Sequence, residues 1–365
     1  MDQAGCFLTT IHDVARAARV SIATVSRVLN DNPRVSERTR RRVWAAADRL
    51  DYTPNSAARA LTTRRTRTLG VLLPDLYGEF FSEVIRGVDR AAREADLQVL
   101  ISSSHANTEE ALSAARAMRG RIDGLIMMAP DSGSAEALRR LARGTPVVVI
   151  NPRKGIEGCR AVSIANFEGS YGAVKHLIEL GHTSLATVSG PRRNVDAEER
   201  LRGFRRALRD QGLEPAEALI VRGDFTESSG HRAATEILGN GRRPTAVFAA
   251  NDSMAIGLLS ALGDLGVRVP GDLAVVGFDD IAIARYLTPP LTTVRVDASE
   301  LGARAVRRLL EGEEFDKDDK TGRPEVLPAP LVVRRSCGAT GNGRVAGGRK
   351  APRRPRKSTQ SGRQP

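Results

Sequence analysis

A short stretch near the N-terminus, IATVSRVLN at residues 22–30, carries side chains suited to reading DNA bases. Arg27 has a planar guanidinium fork that matches the O6 and N7 acceptors of guanine. Thr24 and Ser26 can donate hydrogen bonds to phosphates or bases. The apolar residues that share one face of the predicted helix are Val25, Val28 and Leu29. The predicted helix therefore has one apolar face that can pack against the protein and another face that can contact DNA.

Three short helices are predicted in the first fifty residues, and they position this stretch. Thr10, Ser21 and Ser36 stand at their N-cap positions, and Asp13 completes a capping box with Thr10. A tight turn joins the first two helices, so the pattern predicts a helix-turn-helix. In such a unit the second helix lies in the major groove. Periodicity alone, however, places Ile22 beside the buried face and predicts it as a core residue.

The charge distribution of the 365-residue chain favours a nucleic-acid partner. The net charge is +13, and it is concentrated at the two ends. Residues 1–68 hold 13 Lys/Arg against 6 Asp/Glu, residues 337–365 hold 8 against none, and the middle holds 35 against 37. A merely solvated surface would spread its charge evenly. The last stretch, 337–365, is rich in Gly, Pro and Arg and is predicted to be disordered. Its positive charge either attracts DNA weakly and without sequence preference, or the segment only keeps the protein in solution.

Several classes of protein are disfavoured by the composition. No apolar run is long enough to span a bilayer, and the first residues lack the pattern of a secretory signal. Three cysteines at distant positions predict a reducing, cytosolic setting, and neither they nor the five histidines show a metal-ligand spacing. No nucleophile elbow or phosphate-cradling loop is present, which disfavours an enzyme. We therefore expect no cofactor, no metal and no membrane partner.

From Leu69 onward, short apolar runs alternate with amphipathic helical segments. The runs include LGVLLP, DGLIMMA, PVVVI and LAVVGFDD. This alternation is typical of parallel sheets covered on both faces by helices. About 270 residues of it predict two similar α/β subdomains with a ligand cleft between them.

These motifs together resemble the LacI/GalR (lac repressor) family of bacterial transcription regulators. The stretch from TIHDVARAARVSIATVSRVLN to PNSAARAL resembles the family's DNA-binding head. The similarity continues through VKHLIELGH, RLRGF, PTAVFAANDSMAIG and VPGDLAVVGFDD, and covers roughly residues 9–336. It implies a homodimer that binds a pseudo-palindromic operator in double-stranded DNA. It also implies a two-lobed core like that of periplasmic binding proteins.

The resemblance assigns the DNA-reading positions and reverses the expectation for Ile22. Ile22 and Ala23 fall at the family's variable base-reading positions, where apolar side chains would contact thymine methyl groups. Leu61 falls where a leucine of the family's hinge helix enters a base step of the minor groove, although it could be an ordinary linker residue. The residues expected to contact DNA are Thr10, Ser21, Ile22, Ala23, Thr24, Ser26, Arg27, Asn30, Asn55, Ala58 and Leu61.

The resemblance also implies an effector, a small molecule bound between the lobes, most simply a sugar or sugar derivative. Residues expected to bind it are Phe80, Phe81, Asn151, Arg200, Phe225, Asn251 and Asp279. Asn151 in place of Asp, and Val296 in place of Gln, remove hydrogen-bonding capacity that sugar-responsive relatives have. Alternatively, one phenylalanine is core, Asp279 caps a loop and Arg200 is a surface ion-pair partner. Asp252 is expected to cap its own helix.

The prediction is thus a cytoplasmic, nucleoid-associated regulator, most simply a repressor, with an all-α head, a hinge helix and an α/β core. The alternative is a solute-binding transport component with the same two-lobed fold, which would lack the head. The predicted segments are an extension at 1–8, the helix-turn-helix at 9–53, the hinge and linker at 54–68, the core at 69–336 and the tail at 337–365. Within the core, lobe 1 is predicted at about 69–165 and 296–325, and lobe 2 at about 166–291 and 326–336.

Overall fold

The N-terminal part of the chain folds into three helices. The computed structural model describes residues 9–30, 32–53, 65–128, 144–152, 160–215, 218–241, 243–311 and 324–339. Its first helices are α1 (Ile11–Ala18), α2 (Ile22–Leu29) and α3 (Glu37–Arg49). The predicted extension, most of the predicted hinge and nearly all of the predicted tail lie outside the described residues.

Side-chain caps begin α2 and α3 at the predicted serines. The Thr24 N–H donates to Ser21 Oγ at 3.1 Å, and the Thr39 N–H donates to Ser36 Oγ at 3.4 Å. Each bond satisfies a donor that the first turn of a helix leaves without a partner. The buried residues between the three helices are Val14, Ala15, Ala18, Val25, Val28, Val43, Ala46 and Ala47. Leu50, which follows α3 as its C-cap residue, is half-buried at the edge of this cluster.

The first lobe is built on a parallel sheet with strand order β11-β5-β4-β3-β1-β2. Its strands are β1 (Thr68–Leu73), β2 (Gln98–Ser103), β3 (Gly124–Met128), β4 (Val147–Ile150), β5 (Arg160–Ile164) and β11 (Glu325–Leu327). Its helices are α4 (Glu79–Glu94), α5 (Thr108–Met118) and α10 (Ala298–Leu310).

The second lobe repeats this design in the order β12-β10-β9-β8-β6-β7, with only β12 antiparallel to its neighbour. Its strands are β6 (Leu185–Ser189), β7 (Leu219–Arg222), β8 (Ala246–Ala249), β9 (Ala274–Asp279), β10 (Thr292–Arg295) and β12 (Leu331–Val332). Its helices are α6 (Asn166–Glu179), α7 (Val195–Asp210), α8 (Glu227–Gly239) and α9 (Asp252–Asp264), and a 3₁₀ turn spans Ala282–Tyr286.

The chain passes between the two sheets three times: after β5, after β10 and after β11. Val326 and Leu327 pair with β5 in the first sheet, whereas they were predicted in the second lobe. The predicted start of the tail at residue 337 also needs correction. Cys337 is buried, and its sulfur accepts a hydrogen bond from Thr292 Oγ1 at 3.2 Å. Packing against β10, which composition does not reveal, therefore extends the core beyond residue 336.

Glycines allow a close helix pair in each lobe. A Cβ added to Gly302 of α10 would lie 2.2 Å from the Val84 carbonyl oxygen of α4. A Cβ added to Gly257 of α9 would lie 1.8 Å from the Glu227 carbonyl oxygen of α8. Only a residue without a side chain fits at such distances. Among the described residues, no helix is long and apolar enough to cross a membrane.

Candidate functional site

The outward face of α2 carries the side chains predicted to read bases. Ile22 is 41% exposed, and Ala23 and Arg27 are also exposed. Val25 and Val28, on the opposite face, are fully buried. One eight-residue helix thus packs against the head and presents a second face to the outside.

The prediction from periodicity that Ile22 belongs to the core is wrong. Ile22 is the first residue of α2 and lies about 60° around the helix axis from Val25, at the edge of the buried face. Periodicity marks the buried face only approximately and does not report how far neighbouring helices extend along the axis, so only the structure shows that Ile22 is exposed. Leu29, expected to be buried with Val25 and Val28, is only half-buried.

Several polar residues of the predicted DNA-reading set bond to one another. The Ser21 and Thr24 hydroxyls lie 2.8 Å apart, and Asn30 Nδ2 donates to Ser26 Oγ at 3.5 Å. The Thr10 hydroxyl donates to Asp13 Oδ2 at 2.7 Å. These bonds order the start of α1 and both ends of α2, and contact of the same groups with DNA stays a prediction. The remaining residues of that set lie outside the described residues: Asn55, Ala58 and Leu61.

A cavity of about 350 Å³ lies between the two lobes. Its size is in the range of small-molecule sites. The residues predicted to bind the effector all line it: Phe80, Phe81, Asn151, Arg200, Phe225, Asn251 and Asp279. The fold therefore brings together residues that are up to 199 positions apart in the chain.

Arg200 is buried at the centre of a polar network and is not a surface residue. Its Nε donates to Asn166 Oδ1 at 2.8 Å, and its Nη1 donates to the Ala250 carbonyl oxygen at 2.6 Å. The same Nη1 lies 3.3 Å from Asp279 Oδ1. Its guanidinium carbon also lies 3.7 Å from the centre of the Phe278 ring. These contacts hold the guanidinium in a single position on the cavity wall.

Two carboxyl groups flank this guanidinium, and burial changes their acidity. Burial raises the pKa of Asp279 to about 7, although the adjacent Arg200 charge opposes the rise and Asp196 adds to it. Burial also raises the pKa of Asp196, which accepts a hydrogen bond from Asn166 Nδ2 at 2.8 Å. The network contains two carboxyl groups and only one positive charge, that of Arg200. Asp279 therefore changes protonation near neutral pH.

Asn251, and not Asp252, caps α9, so the prediction for Asp252 is wrong. Asn251 Oδ1 accepts from the Met254 N–H at 3.0 Å, while its Nδ2 donates to the Phe225 carbonyl oxygen at 2.9 Å. The fully buried Asp252 carboxylate instead accepts hydrogen bonds from Thr293 Oγ1 and the Ile281 N–H. The Asn251 amide thereby holds the Phe225 backbone, which has a left-handed φ of 71°.

Asn151 and Asp279 also have left-handed backbone conformations, with φ of 50° and 115°. Asn151 is 5% exposed, and its Oδ1 accepts from the Ile164 N–H at 2.8 Å. Its buried Nδ2 has no hydrogen-bond partner. Val296 does not line the cavity and packs in the core between the lobes. Strained backbone at three wall residues is typical of a site where side-chain position matters more than local stability.

The mouth of the cavity carries both aromatic and polar contacts. Phe80 and Phe81 meet edge to face with ring centres 5.4 Å apart, and both are half-buried, so neither is purely core. Glu79, beside them on the first lobe, accepts a hydrogen bond at 2.6 Å from the Ala282 N–H of the second lobe. This bond joins the lobes at one edge of the cavity.

Sequence reasoning missed Asn166, Asp196 and Glu79. The spacing of Asp196 and Arg200 was an available signal, because residues four apart lie on one face of the predicted helix. Asn166 and Glu79 had no such signal, since their partners lie in distant segments of the chain.

Two family models match the chain. The model for bacterial regulatory proteins of the lacI family matches residues 10–55, and the model for the periplasmic binding protein-like domain matches residues 174–337. The HTH-type transcriptional repressor PurR of Aliivibrio fischeri (strain MJ11) is 36% identical over 337 residues, which cover 90% of this chain and 99% of that protein.

Solved structures show the same similarity. The lac repressor dimer bound to operator and the anti-inducer ONPF has a TM-score of 0.82 at 31% identity, and the match covers 90% of this chain and 99% of that one. The complex of the transcriptional regulator CelR with cellobiose has a TM-score of 0.66 at 33% identity, with the same two coverages. Both the head and the two-lobed core therefore have counterparts in single chains of known structure.

Proposed function

Because the chain belongs to the LacI family of bacterial regulatory proteins, we propose that it is a dimeric repressor whose affinity for operator DNA is set by a small effector in the cavity. The observation that carries this proposal is the presence, in one chain, of the two-faced helix α2 and an interlobe cavity lined by polar and aromatic side chains. A solute-binding transport component would account for the cavity but not for α2.

The exposed face of α2 is the part that would read the operator. Arg27 has the reach and the donor geometry for a guanine, and Ile22 and Ala23 offer apolar contact to thymine methyl groups. Two heads of a dimer would read two half-sites related by a pseudo-twofold axis. Leu61 would open a base step at the centre of the operator.

The cavity is suited to an uncharged, hydroxyl-rich molecule. Arg200 is already held by Asp279, Asn166 and a carbonyl oxygen, and a second carboxyl group, that of Asp196, lies beside it. An anionic ligand would have to compete with these acidic neighbours for the guanidinium. The rings of Phe80, Phe81 and Phe225 supply apolar surface for the flat faces of a sugar ring, and Asn151 Nδ2 supplies a donor. A sugar or sugar derivative is therefore the effector that we propose.

Effector binding would act through the relative position of the lobes. The cavity wall is shared by both lobes, and Glu79 already joins them through Ala282. A ligand that contacts both walls stabilises one lobe arrangement by the difference in its affinity for the two arrangements. We propose that this difference reaches the paired heads through the segment that joins head and core.

The proposed role requires neither catalysis nor a cofactor, and we propose that the protein is not an enzyme. Its relatives are transcriptional regulators. Because its proposed target is chromosomal DNA, we place it in the cytoplasm with the nucleoid.

Two measurements on the full chain test this function. Selection from a random DNA library should enrich a pseudo-palindrome, and enrichment of no common sequence would contradict the operator proposal. Thermal unfolding with pentoses, hexoses, disaccharides and nucleobases should then identify an effector, since a ligand at about 100 times its Kd adds about 2.7 kcal/mol of stability. That ligand must also change affinity for the selected DNA. A ligand that stabilises the protein without any such change would refute effector control.

A further inference from the structure

Several arginines of the second lobe have no carboxylate within ion-pair distance among the described residues. Three of them are also near one another, since the charges of Arg192 and Arg205 act on Arg222. Other arginines on α7 do have such partners. Arg202 pairs with Glu199, and Arg206 pairs with Asp210. We refer to the three residues as the arginine cluster.

Separate rigid elements bring the cluster together. Arg222 ends β7 and lies opposite Ser189 of the parallel neighbour β6. Arg192 follows Ser189 by three residues, just before the Asn194 cap of α7, and Arg205 lies on α7 itself. The two loop-side arginines therefore lie at the carboxyl ends of adjacent strands, and the third projects from the helix that packs beside them.

Two positive charges of the cluster act on the third. Partial burial of the exposed Arg222 side chain lowers its pKa, the nearby charges of Arg192 and Arg205 lower it further, and Glu198 opposes them. Residues 69–336 as a whole hold 35 basic and 37 acidic residues, so a general excess of arginine does not explain the cluster. Glu198 offsets only part of the repulsion among these like charges, and a bound anion reduces the repulsion that remains.

The chemistry of the cluster fits a phosphate group. Arg192 and Arg222 are exposed and Arg205 is half-buried, so their forks are accessible from the surface. Guanidinium groups bind phosphate oxygens in bidentate geometry, and several on fixed elements are already arranged for it. The cluster lies just outside the cavity, since Pro191 and Asn194 on either side of Arg192 line its wall.

We propose that Arg192, Arg205 and Arg222 form a binding site for the phosphate group of a small metabolite, on the rim of the second lobe and outside the effector cavity. The site does not depend on the identity of the effector. Inside the cavity, the carboxyl groups of Asp279 and Asp196 flank Arg200, whereas the rim carries three arginines, so the rim offers a phosphate the stronger positive field.

Isothermal titration of the full chain with pyrophosphate, at constant ionic strength, tests the site. The basic ends of the chain also attract phosphates, so the informative result is the difference between variants. Arg222→Gln should weaken a saturable binding event about tenfold or more, because it removes one of three charge-assisted contacts. Arg209→Gln is the matched control, since it removes the same charge from α7 one turn beyond Arg205, and it should retain binding within about twofold.

Thermal unfolding without ligand serves as the folding control. Arg222→Gln should unfold at the parent temperature or slightly above it, because the substitution relieves repulsion among like charges. Equal pyrophosphate affinity in parent and Arg222→Gln, an equal loss in Arg209→Gln, or no saturable binding would each overturn the proposal. Arg222-dependent binding of an RNA oligonucleotide without binding of pyrophosphate would also overturn it, in favour of a surface for polyanions.

Discussion

The outward face of α2 and the wall of the cavity hold their candidate functional side chains in opposite surroundings. On α2, Arg27 and Ile22 are exposed, while the residues that stabilise the head lie on the other face. In the cavity, Arg200 is 4% exposed and is bonded to three neighbours at once. On α2, the residues expected to contact DNA are therefore different from the residues that stabilise the head. In the cavity, the same contacts of Arg200 both shape the candidate site and stabilise the fold.

The largest effect should follow from Arg200→Met, which removes the guanidinium while keeping an apolar chain of similar length. Asn166 Oδ1 and the Ala250 carbonyl oxygen lose their donor, and Asp279 loses its counter-charge. We expect the free energy of unfolding to fall by about 3–5 kcal/mol in urea titration. Arg206→Met, which breaks an exposed pair with Asp210 on the same helix, should lower it by less than about 1 kcal/mol. Similar losses of stability in both variants would contradict the conclusion that the contacts of Arg200 stabilise the cavity wall.

The acidity of Asp279 predicts a pH dependence of stability. Its pKa is about 7 in the folded protein against 3.8 in the unfolded chain, so between these values the folded state holds a proton that the unfolded state releases. Asp279 therefore contributes its full stability below about pH 4, and this contribution falls by at most about 1.4 kcal/mol per unit as pH rises to about 7.

Asp279→Asn should remove that decline, because the amide resembles the protonated carboxyl and does not titrate. Asp196 and Asp252, the acidic groups that face Asp279, also have raised pKa values, so they too make stability decline as pH rises. Parent and variant both keep this part of the pH dependence. The check is the difference in unfolding free energy between parent and variant from pH 4 to 8. A difference that does not change with pH would show that Asp279 is ionised throughout.

Arg27→Ala tests the other region. Its exposed side chain should leave the free energy of unfolding within about 0.5 kcal/mol of the parent. Preference at one base pair of each selected half-site should fall by about 1–3 kcal/mol, measured by competition between operator variants. An unchanged preference at every position, or a uniform loss at all positions, would exclude base reading by Arg27.

The smallest effect should come from Ile22→Ala, compared with Val28→Ala on the same helix. Loss of apolar contact at a thymine methyl should weaken operator binding by about 1 kcal/mol or less, with unchanged stability. Val28→Ala should lower the free energy of unfolding by about 2 kcal/mol, because a fully buried site loses two methyl groups. If Ile22→Ala destabilised the head as much, the two faces of α2 would not be distinct.

Much of the fold was predictable from local pattern. Serine caps, apolar faces and the alternation of strands and helices specified the helix-turn-helix and the two parallel α/β lobes, because each signal depends on residues only a few positions apart. The seven predicted cavity residues came from family resemblance, and the structure places all of them around one cavity. The spacing of Asp196 and Arg200 could have added one more residue.

Tertiary structure alone decided which polar groups meet and which surfaces remain open. Glu79 and Ala282 are bonded although 203 residues separate them, and Cys337 joins the core through Thr292. Ile22 is exposed at the edge of the buried face of α2, and Arg200 is buried because partners from three segments surround it. Periodicity gives the angle of a side chain around its own element. Burial, pKa and pairing depend on what other elements place beside it.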